Sequence, residues 1–352
     1  MSAHVLPELF QRAVSGRIGL FRPCLKSVKI PAHGHIVIEY SSPNIAKPFH
    51  VGHLRSTLLG HFLANLLHSA GHRVTRLNWL GDWGTQFGLL AKGYQLWGQE
   101  PRLRVEGVRH LLEVYVQANE KAEAEPQFYE EGKAWFQKLE AGDLEAVAFW
   151  QRAKDISLSE FNQLYQEMGV SFDFVESESV YASRCRGLLD GWSKAGLLQT
   201  LPDGRVGLHR PLSQRNRPTG PDGDSSFITL LKSDGSTMYL GRDLAAVIDR
   251  FNRFRFDHHY YVVGAEQRDH FVDMKTVLRL TGHESIADRL EHIAFRKVQG
   301  LSSRKGQVVF VDDLLSRGRQ CAEEYAMGSV NARIDAHNRD RIVRALALSK
   351  QL

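Results

Sequence analysis

Residues 35–78 read HIVIEYSSPNIAKPFHVGHLRSTLLGHFLANLLHSAGHRVTRLN, and their pattern decides the fold. His35 to Tyr40 is a short β-rich apolar run that stops at Ser41-Ser42-Pro43, as a buried strand ended by turn chemistry would. From Val51 to His68 apolar side chains recur at helical spacing (Leu54, Leu58, Leu59, Phe62, Leu63, Leu66, Leu67), and Gly71 supplies a stop. His72 to Asn78 resumes as a strand. Strand, helix and strand at this spacing form a βαβ unit, whose strands run parallel.

Further along, Gly81-Asp82-Trp83-Gly84-Thr85-Gln86-Phe87-Gly88 carries three glycines and predicts a tight loop into a helix from Leu89 to Trp97. Residues 102–168 are highly charged and mostly helical in pattern, and 171–235 read as strands and loops. A second α/β run starts at Ser236. Met238-Tyr239-Leu240 is expected to be extended, Arg242 to Arg253 helical, Tyr260 to Gly264 a strand, Asp269 to Thr281 helical, and Ile293-Ala294-Phe295 extended before the loop Val298 to Gly306. The two runs are expected to form halves of one doubly wound parallel sheet. Ligands in such sheets sit at the carboxyl ends of strands, where the strand order reverses. The expected organisation is therefore a leader or domain remnant over 1–35, a first half-domain over 36–100, and a helical and mixed insertion over 101–235. A second half follows over 236–315, and a tail over 316–352.

Bulk properties narrow the class. The chain has 352 residues, 43% of them apolar and 24% charged, which is globular composition. No apolar run reaches the roughly 18–20 residues of a membrane span. Cys24, Cys185 and Cys321 are odd in number and far apart, so neither a disulfide framework nor a zinc ribbon is supported. A net charge of +5 permits a polyanionic partner without requiring one. The first thirty-odd residues carry Arg12, Arg17, Arg22, Lys26 and Lys29 against Glu8, which fits a mitochondrial transit segment or the end of a preceding domain.

His50 and His53 stand three apart at the expected helix start, after Pro48, on one face of the first turn. Unpaired backbone N–H groups and the positive dipole end make such a place suited to phosphate, to which two imidazoles donate. Gly52 between them removes a side chain and would let a base or ribose approach the backbone. No Cys/His cluster with zinc spacing lies nearby, so no metal ligand is assigned. A guanidinium ligand, with five donors and a permanent charge, would need carboxylate and amide acceptors in a fixed fork. Glu39 and Asn44 at the first strand end offer these, as do Tyr239, Asp243 and Gln267 in the second half. For Glu39 the competing reading is a solvated strand-end charge. For Asp243 it is a carboxylate favoured by a helix dipole.

The string Ser42-Pro43-Asn44-Ile45-Ala46-Lys47-Pro48-Phe49-His50-Val51-Gly52-His53-Leu54-Arg55-Ser56-Thr57 resembles the HIGH signature region of the arginyl-tRNA synthetases, a class I family, almost residue for residue. The likeness extends from about Ile36 to Leu315. Gly81 to Gly88 is similar to that family's loop, Tyr239 to Ala246 to its Y-x-x-R-D-x-A-A helix, and Gln267 and His270 to its glutamine and histidine after the next strand. The wording is nearest to the mitochondrial subtype. The resemblance implies a Rossmann-like class I catalytic domain with a mostly helical insertion, and a reaction joining L-arginine to tRNA(Arg) through arginyl-adenylate. ATP would enter as its Mg²⁺ complex, with no tightly bound cofactor. It implies an arginine pocket of Glu39, Ser42, Pro43, Asn44, His53, Tyr239, Asp243 and Gln267, with Asp243 on the guanidinium. It also implies ATP contacts from His50, Gly52, His53, Gly264, His270, Arg304 and Lys305, and catalytic roles for His50, His53 and Lys47. The second signature, KMSKS, falls on Gly300-Leu301-Ser302-Ser303-Arg304-Lys305-Gly306 and is degenerate, with Lys47 the compensating cation. A monomer in the mitochondrial matrix is expected, the cytoplasm being the alternative. The family's N-terminal tRNA-binding and C-terminal anticodon-binding domains have no counterpart in this stretch. A catalytically impaired core that acts as a ligand-binding or interaction module is therefore the competing function.

Overall fold

The structure, a computed structural model, describes residues 34–211, 226–296 and 310–328. Strand β1 (His35–Glu39), helix α1 (Val51–Ser69) and β2 (Arg73–Leu80) form the expected parallel βαβ unit, with Glu39 paired to Leu77. The later strands β3 (Phe174–Ser177), β7 (His258–Gly264) and β8 (Leu290–Phe295) complete a five-stranded parallel sheet of order β3-β2-β1-β7-β8. The chain winds outward from β1 through β2 to β3, then returns to the other side of β1 for β7 and β8. The reversal therefore falls between β1 and β7, whose ends carry Glu39 and Gly264. A small antiparallel sheet joins β4 (Gln199–Thr200), β5 (Val206–His209) and β6 (Phe227–Leu231).

The chain divides into two compact units. The first holds the described parts of Met1–Ser42, Ser56–Trp83 and Phe172–Lys297, and so both sheets. With them come helices α7 (Glu178–Lys194), α8 (Tyr239–Phe254), α9 (Arg268–Leu280) and α10 (Glu284–Ala287). Its core runs through Val37, Leu77, Tyr181, Leu230, Leu244, Val247, Met274 and Val277. The second holds Pro43–Arg55, Gly84–Ser171 and the described part of Val298–Leu352. Its helices are α2 (Thr85–Trp97), α3 (Glu100–Glu106), α4 (Val108–Ala124), α5 (Pro126–Glu140), α6 (Leu144–Met168) and α11 (Val311–Gly328). Ile45, Phe87, Leu90, Leu111, Val114 and Ala153 form its core.

Four local expectations are corrected. Residues 171–235 contain the 17-residue helix α7, because Tyr181, Cys185, Leu189 and Trp192 bury one helical stripe among polar neighbours. Tyr239 and Leu240 are not extended; α8 starts at Tyr239, and Leu240, Leu244 and Val247 bury the same face. On α1 the leucines are not the main buried face: Leu59 and Phe62 are exposed, while Ser56, Thr57, Gly60 and Ala64 are buried. Small residues let this helix close on β1, and a Cβ on Gly60 would stand 2.2 Å from the Tyr40 Cβ. Gly88 belongs to α2 rather than to a loop. Its added Cβ would meet the Gly132 carbonyl oxygen of α5 at 1.9 Å, so this pair of glycines sets a close helix contact.

Candidate functional site

In the first unit, the chain leaves β1 through Ser41 (φ 75°) and Ser42 (φ 47°), consecutive non-glycine residues in the left-handed region. Such residues each cost on the order of 1 kcal/mol and persist where neighbours hold them. Ser56 Oγ accepts from the Ser41 amide at 2.9 Å and donates to the Val262 carbonyl at 2.6 Å. Asn78 Oδ1 accepts from the Ser42 amide at 3.1 Å. The Ser42 hydroxyl itself is buried with no hydrogen-bond partner among the described residues.

Tyr239, Asp243 and His270 come together as a group. Tyr239 and Asp243 lie one turn apart on α8; His270 enters from the first turn of α9. Its Nε2 lies 2.7 Å from Asp243 Oδ2, and its ring stacks on Tyr239 with centroids 5.0 Å apart. Asp243 is thus held by one oxygen, with lone pairs left for a further donor. His270, one of the residues expected to touch ATP, is placed against this carboxylate. Gln267 ends an exposed single turn (Ala265–Gln267) after β7. Gly264 makes room for Glu266, whose carboxylate oxygens would stand 2.5 Å from an added Cβ.

Glu39 does grip a guanidinium, but an internal one. Arg250, 1% exposed, donates from Nη1 to Glu39 Oε2 at 2.6 Å and from Nε to Glu176 Oε2 at 2.8 Å, and lies 4.8 Å over the Trp79 ring. One side chain of α8 therefore ties β1, β2 and β3 at their carboxyl ends. Burial pushes the Glu39 carboxyl up to about 7 against the pull of Arg250. Glu39 is 5% exposed, so it is not a solvated strand-end charge. Arg250 went unseen in the sequence, although it stands seven residues after Asp243 and so on the same face of α8. Beside them Arg242 lies 3.6 Å from the half-buried Glu178, whose carboxyl desolvation raises to about 7. Buried Asp82 accepts from the Ser179 amide at 2.8 Å and its hydroxyl at 2.6 Å, capping α7.

In the second unit, Pro43 to Phe49 is bolted to α6. The Ala46 amide (φ 56°) donates to Ser157 Oγ at 2.8 Å, and Phe49 packs on Phe161 and Tyr165. His50 and His53 stack at 3.8 Å, 12° from parallel. The Gly52 amide donates to His50 Nδ1 at 3.1 Å, and the His50 amide to His53 Nδ1 at 3.4 Å. Each accepting Nδ1 leaves the proton, and the donor, on Nε2. Burial first, then His50 and Lys47, hold the His53 pKa well below the usual imidazole value, so this ring donates as a neutral N–H at neutral pH. Gly52 makes room for His50: an added Cβ would lie 2.8 Å from the His50 Cε1. Lys47 sits over the Tyr115 ring, 4.9 Å from its centroid. Pro43 is buried and Asn44 half-buried, and Arg304 and Lys305 lie outside the described residues.

One group among the described residues has metal-ligand types close together: Glu106, His110 and Glu113, with candidate atoms within 4.8 Å. His110 Nε2 accepts from the Gln99 amide at 2.9 Å, which puts the proton on Nδ1, the atom facing the carboxylates. Arg102 already bonds both acids, at 2.8 Å to Glu106 and 2.7 Å to Glu113. The group is an ion-pair cluster.

A profile of the family described as tRNA synthetases class I (R), catalytic domain, matches residues 20–350. This chain belongs to that family. Among curated class I synthetase relatives, it is 43% identical over 284 residues to a protein of Bos taurus named probable arginine–tRNA ligase, mitochondrial, covering 81% of this chain and 48% of that one. It is 42% identical over 281 residues to the Homo sapiens protein of the same name, covering 80% and 47%. To the arginine–tRNA ligase of Oenococcus oeni it is 41% identical over 294 residues, covering 82% and 50%. The chain thus spans about half the length of the curated relatives it matches. Among solved structures, the arginyl-tRNA synthetase of Plasmodium falciparum superposes with a TM-score of 0.71 at 24% identity, over 90% of this chain and 51% of that one. That of Thermus thermophilus gives 0.67 at 20%, over 90% and 57%. These two likenesses establish the class I catalytic fold. No described helix is long and apolar enough to cross a membrane.

Proposed function

We propose that the chain is the catalytic core of an arginine–tRNA ligase, which activates L-arginine with ATP and passes it to tRNA(Arg). The observation that carries this reading is the Asp243 carboxylate, oriented by His270 at 2.7 Å beside the Tyr239 ring. A permanent planar cation is what such an anchored, aromatic-flanked carboxylate selects. The names of the curated relatives support the same substrate.

In the first step the arginine carboxylate attacks the α-phosphorus of ATP, which enters as its magnesium complex. A P–O bond to the amino acid forms, and pyrophosphate leaves. A hydroxyl of the terminal tRNA adenosine then takes the arginyl group, and AMP leaves. No side-chain nucleophile is needed. His50 and His53 donate from Nε2 to phosphate oxygens as charge develops, and Lys47 adds a cation; Ser42 and Asn44 bind the amino acid. Arg250 holds Glu39 through Oε2 alone, so Glu39 supports α8 and keeps its other oxygen for the amino acid. The named mitochondrial relatives support a mitochondrial location, and the reaction as written needs only one copy of the chain.

The test is charging of tRNA(Arg) with a panel of amino acids, alongside amino-acid-dependent ATP–pyrophosphate exchange with tRNA present. Arginine alone should support both. Retained ATP binding without exchange for any amino acid would instead establish the chain as a binding module.

A further inference from the structure

The described chain resumes at Phe310 with a backbone bridge to His50, and the Val311 amide donates to the Phe49 carbonyl at 3.1 Å. Phe310 is held in turn by Arg109, the second residue of α4. The guanidinium carbon lies 4.3 Å from the Phe310 ring centroid, and Nη2 donates to Asp313 Oδ1 at 2.8 Å. The base of Arg109 is itself fixed: the Val108 amide donates to Glu160 Oε1 of α6 at 2.8 Å, and Gly107 turns the chain with φ 54°. Asp312 and Asp313 occupy the first turn of α11, where the dipole favours them, and Arg319 pairs with Glu167 at 2.5 Å farther along. Arg109 thus grips both sides of the step at which the chain passes His50. All these groups belong to the second unit.

The His50 backbone is the part of the imidazole pair most sensitive to that grip. Its amide makes the long 3.4 Å bond to His53 Nδ1, and the Gly52 amide sets the His50 ring. A shift of the strand-like contact at Phe310 moves the His50 amide and loosens the bond that fixes the His53 tautomer. We propose that Arg109, on the helical insertion, is a positioning residue for the His50–His53 pair, acting through Phe310 and the backbone bridge. The proposal rests on the function given above for the pair's part in catalysis, but its structural half is testable without activity.

Arg109 and Asp313 are 43% and 53% exposed in their side chains, so substitution leaves the core intact. Two readouts are compared for wild type, R109A, R109D and the swapped pair R109D/D313R. One is hydrogen exchange of the Val311 amide, and the other arginine-dependent pyrophosphate exchange with tRNA present. For a half-exposed ion pair plus a cation–π contact, R109A should speed Val311 exchange about three- to tenfold. It should lower kcat by a similar factor and leave the arginine KM in place. R109D should fall further, and the swapped pair should recover part of the R109D loss in both readouts, since the ion pair is restored in reverse while the cation over the Phe310 ring is not. Unchanged Val311 exchange in R109A overturns the proposal, as does a swapped pair no better than R109D. A wild-type chain that exchanges with no amino acid would defeat the proposed function instead, and the Val311 comparison would then decide the clamp alone.

Discussion

Replacing Arg250 by methionine isolates the role of the internal guanidinium. The side chain is 1% exposed and bonds two carboxylates, of which Glu39 is 5% exposed and Glu176 retains Arg253 as a second partner. The cost therefore falls on Glu39. Removing one member of a buried ion pair costs about 3–5 kcal/mol when the remaining charge stays buried. A proton relieves part of that cost. In the intact protein burial already raises the Glu39 carboxyl from 4.5 to about 7, and loss of Arg250 raises it further. A carboxyl raised in the folded state contributes stability that is complete below its unfolded pKa and is lost as pH rises through the folded one. Both proteins hold the Glu39 proton at pH 6, whereas at pH 9 only the intact protein ionises it readily. The R250M penalty, read from urea denaturation, should thus grow by 1 kcal/mol or more between pH 6 and pH 9, at about 1.4 kcal/mol for each unit of further shift. Adding E39Q should remove that growth. An R250M penalty equal at the two pH values, or undiminished slope in the double variant, would refute the assignment of Glu39 as the charge that Arg250 serves.

Two other outcomes follow from the geometry. G52A places a methyl 2.8 Å from the His50 Cε1, displacing the ring; pyrophosphate exchange should lose on the order of 10- to 100-fold in kcat with the arginine KM unchanged, and equal kcat would show that the ring position is not critical. His259 is fully buried between Phe256 and Tyr261, and burial, followed by Arg250, holds its pKa well below the usual 6.5. The unfolded chain therefore gains a proton below pH 6.5 that the folded one refuses, so stability falls with acid. H259L should flatten the denaturation slope between pH 6.5 and 5 by up to about 1.4 kcal/mol per pH unit, and an unaltered slope would contradict the burial argument.

Periodicity made the βαβ unit legible, and the Ser42 to Thr57 string carried the family. The doubly wound parallel sheet follows from those features, whereas the place of its reversal, between β1 and β7, and the setting of Tyr239 one helical turn before Asp243 came only with the structure. What stayed hidden depended on partners distant in the chain. That Glu39 has an internal partner shows only when Arg250, 211 residues away, is brought against it. Gly88 was read as part of a turn, because nothing local shows that Gly132, 44 residues on, packs against it. Helix α7 was missed because serines, arginines and glycines dilute its apolar stripe, and the Arg109–Phe310 contact joins segments 201 residues apart.

The central claim is that Asp243 selects a guanidinium. Citrulline, a neutral analogue of arginine's shape, separates charge recognition from fit. Arginine-dependent exchange with tRNA should give D243N an arginine KM raised at least about tenfold, from the 2–5 kcal/mol lost with a hydrogen-bonded charge pair. The preference for arginine over citrulline should collapse by a comparable factor. An unchanged arginine KM and undiminished preference in D243N would place the guanidinium site elsewhere.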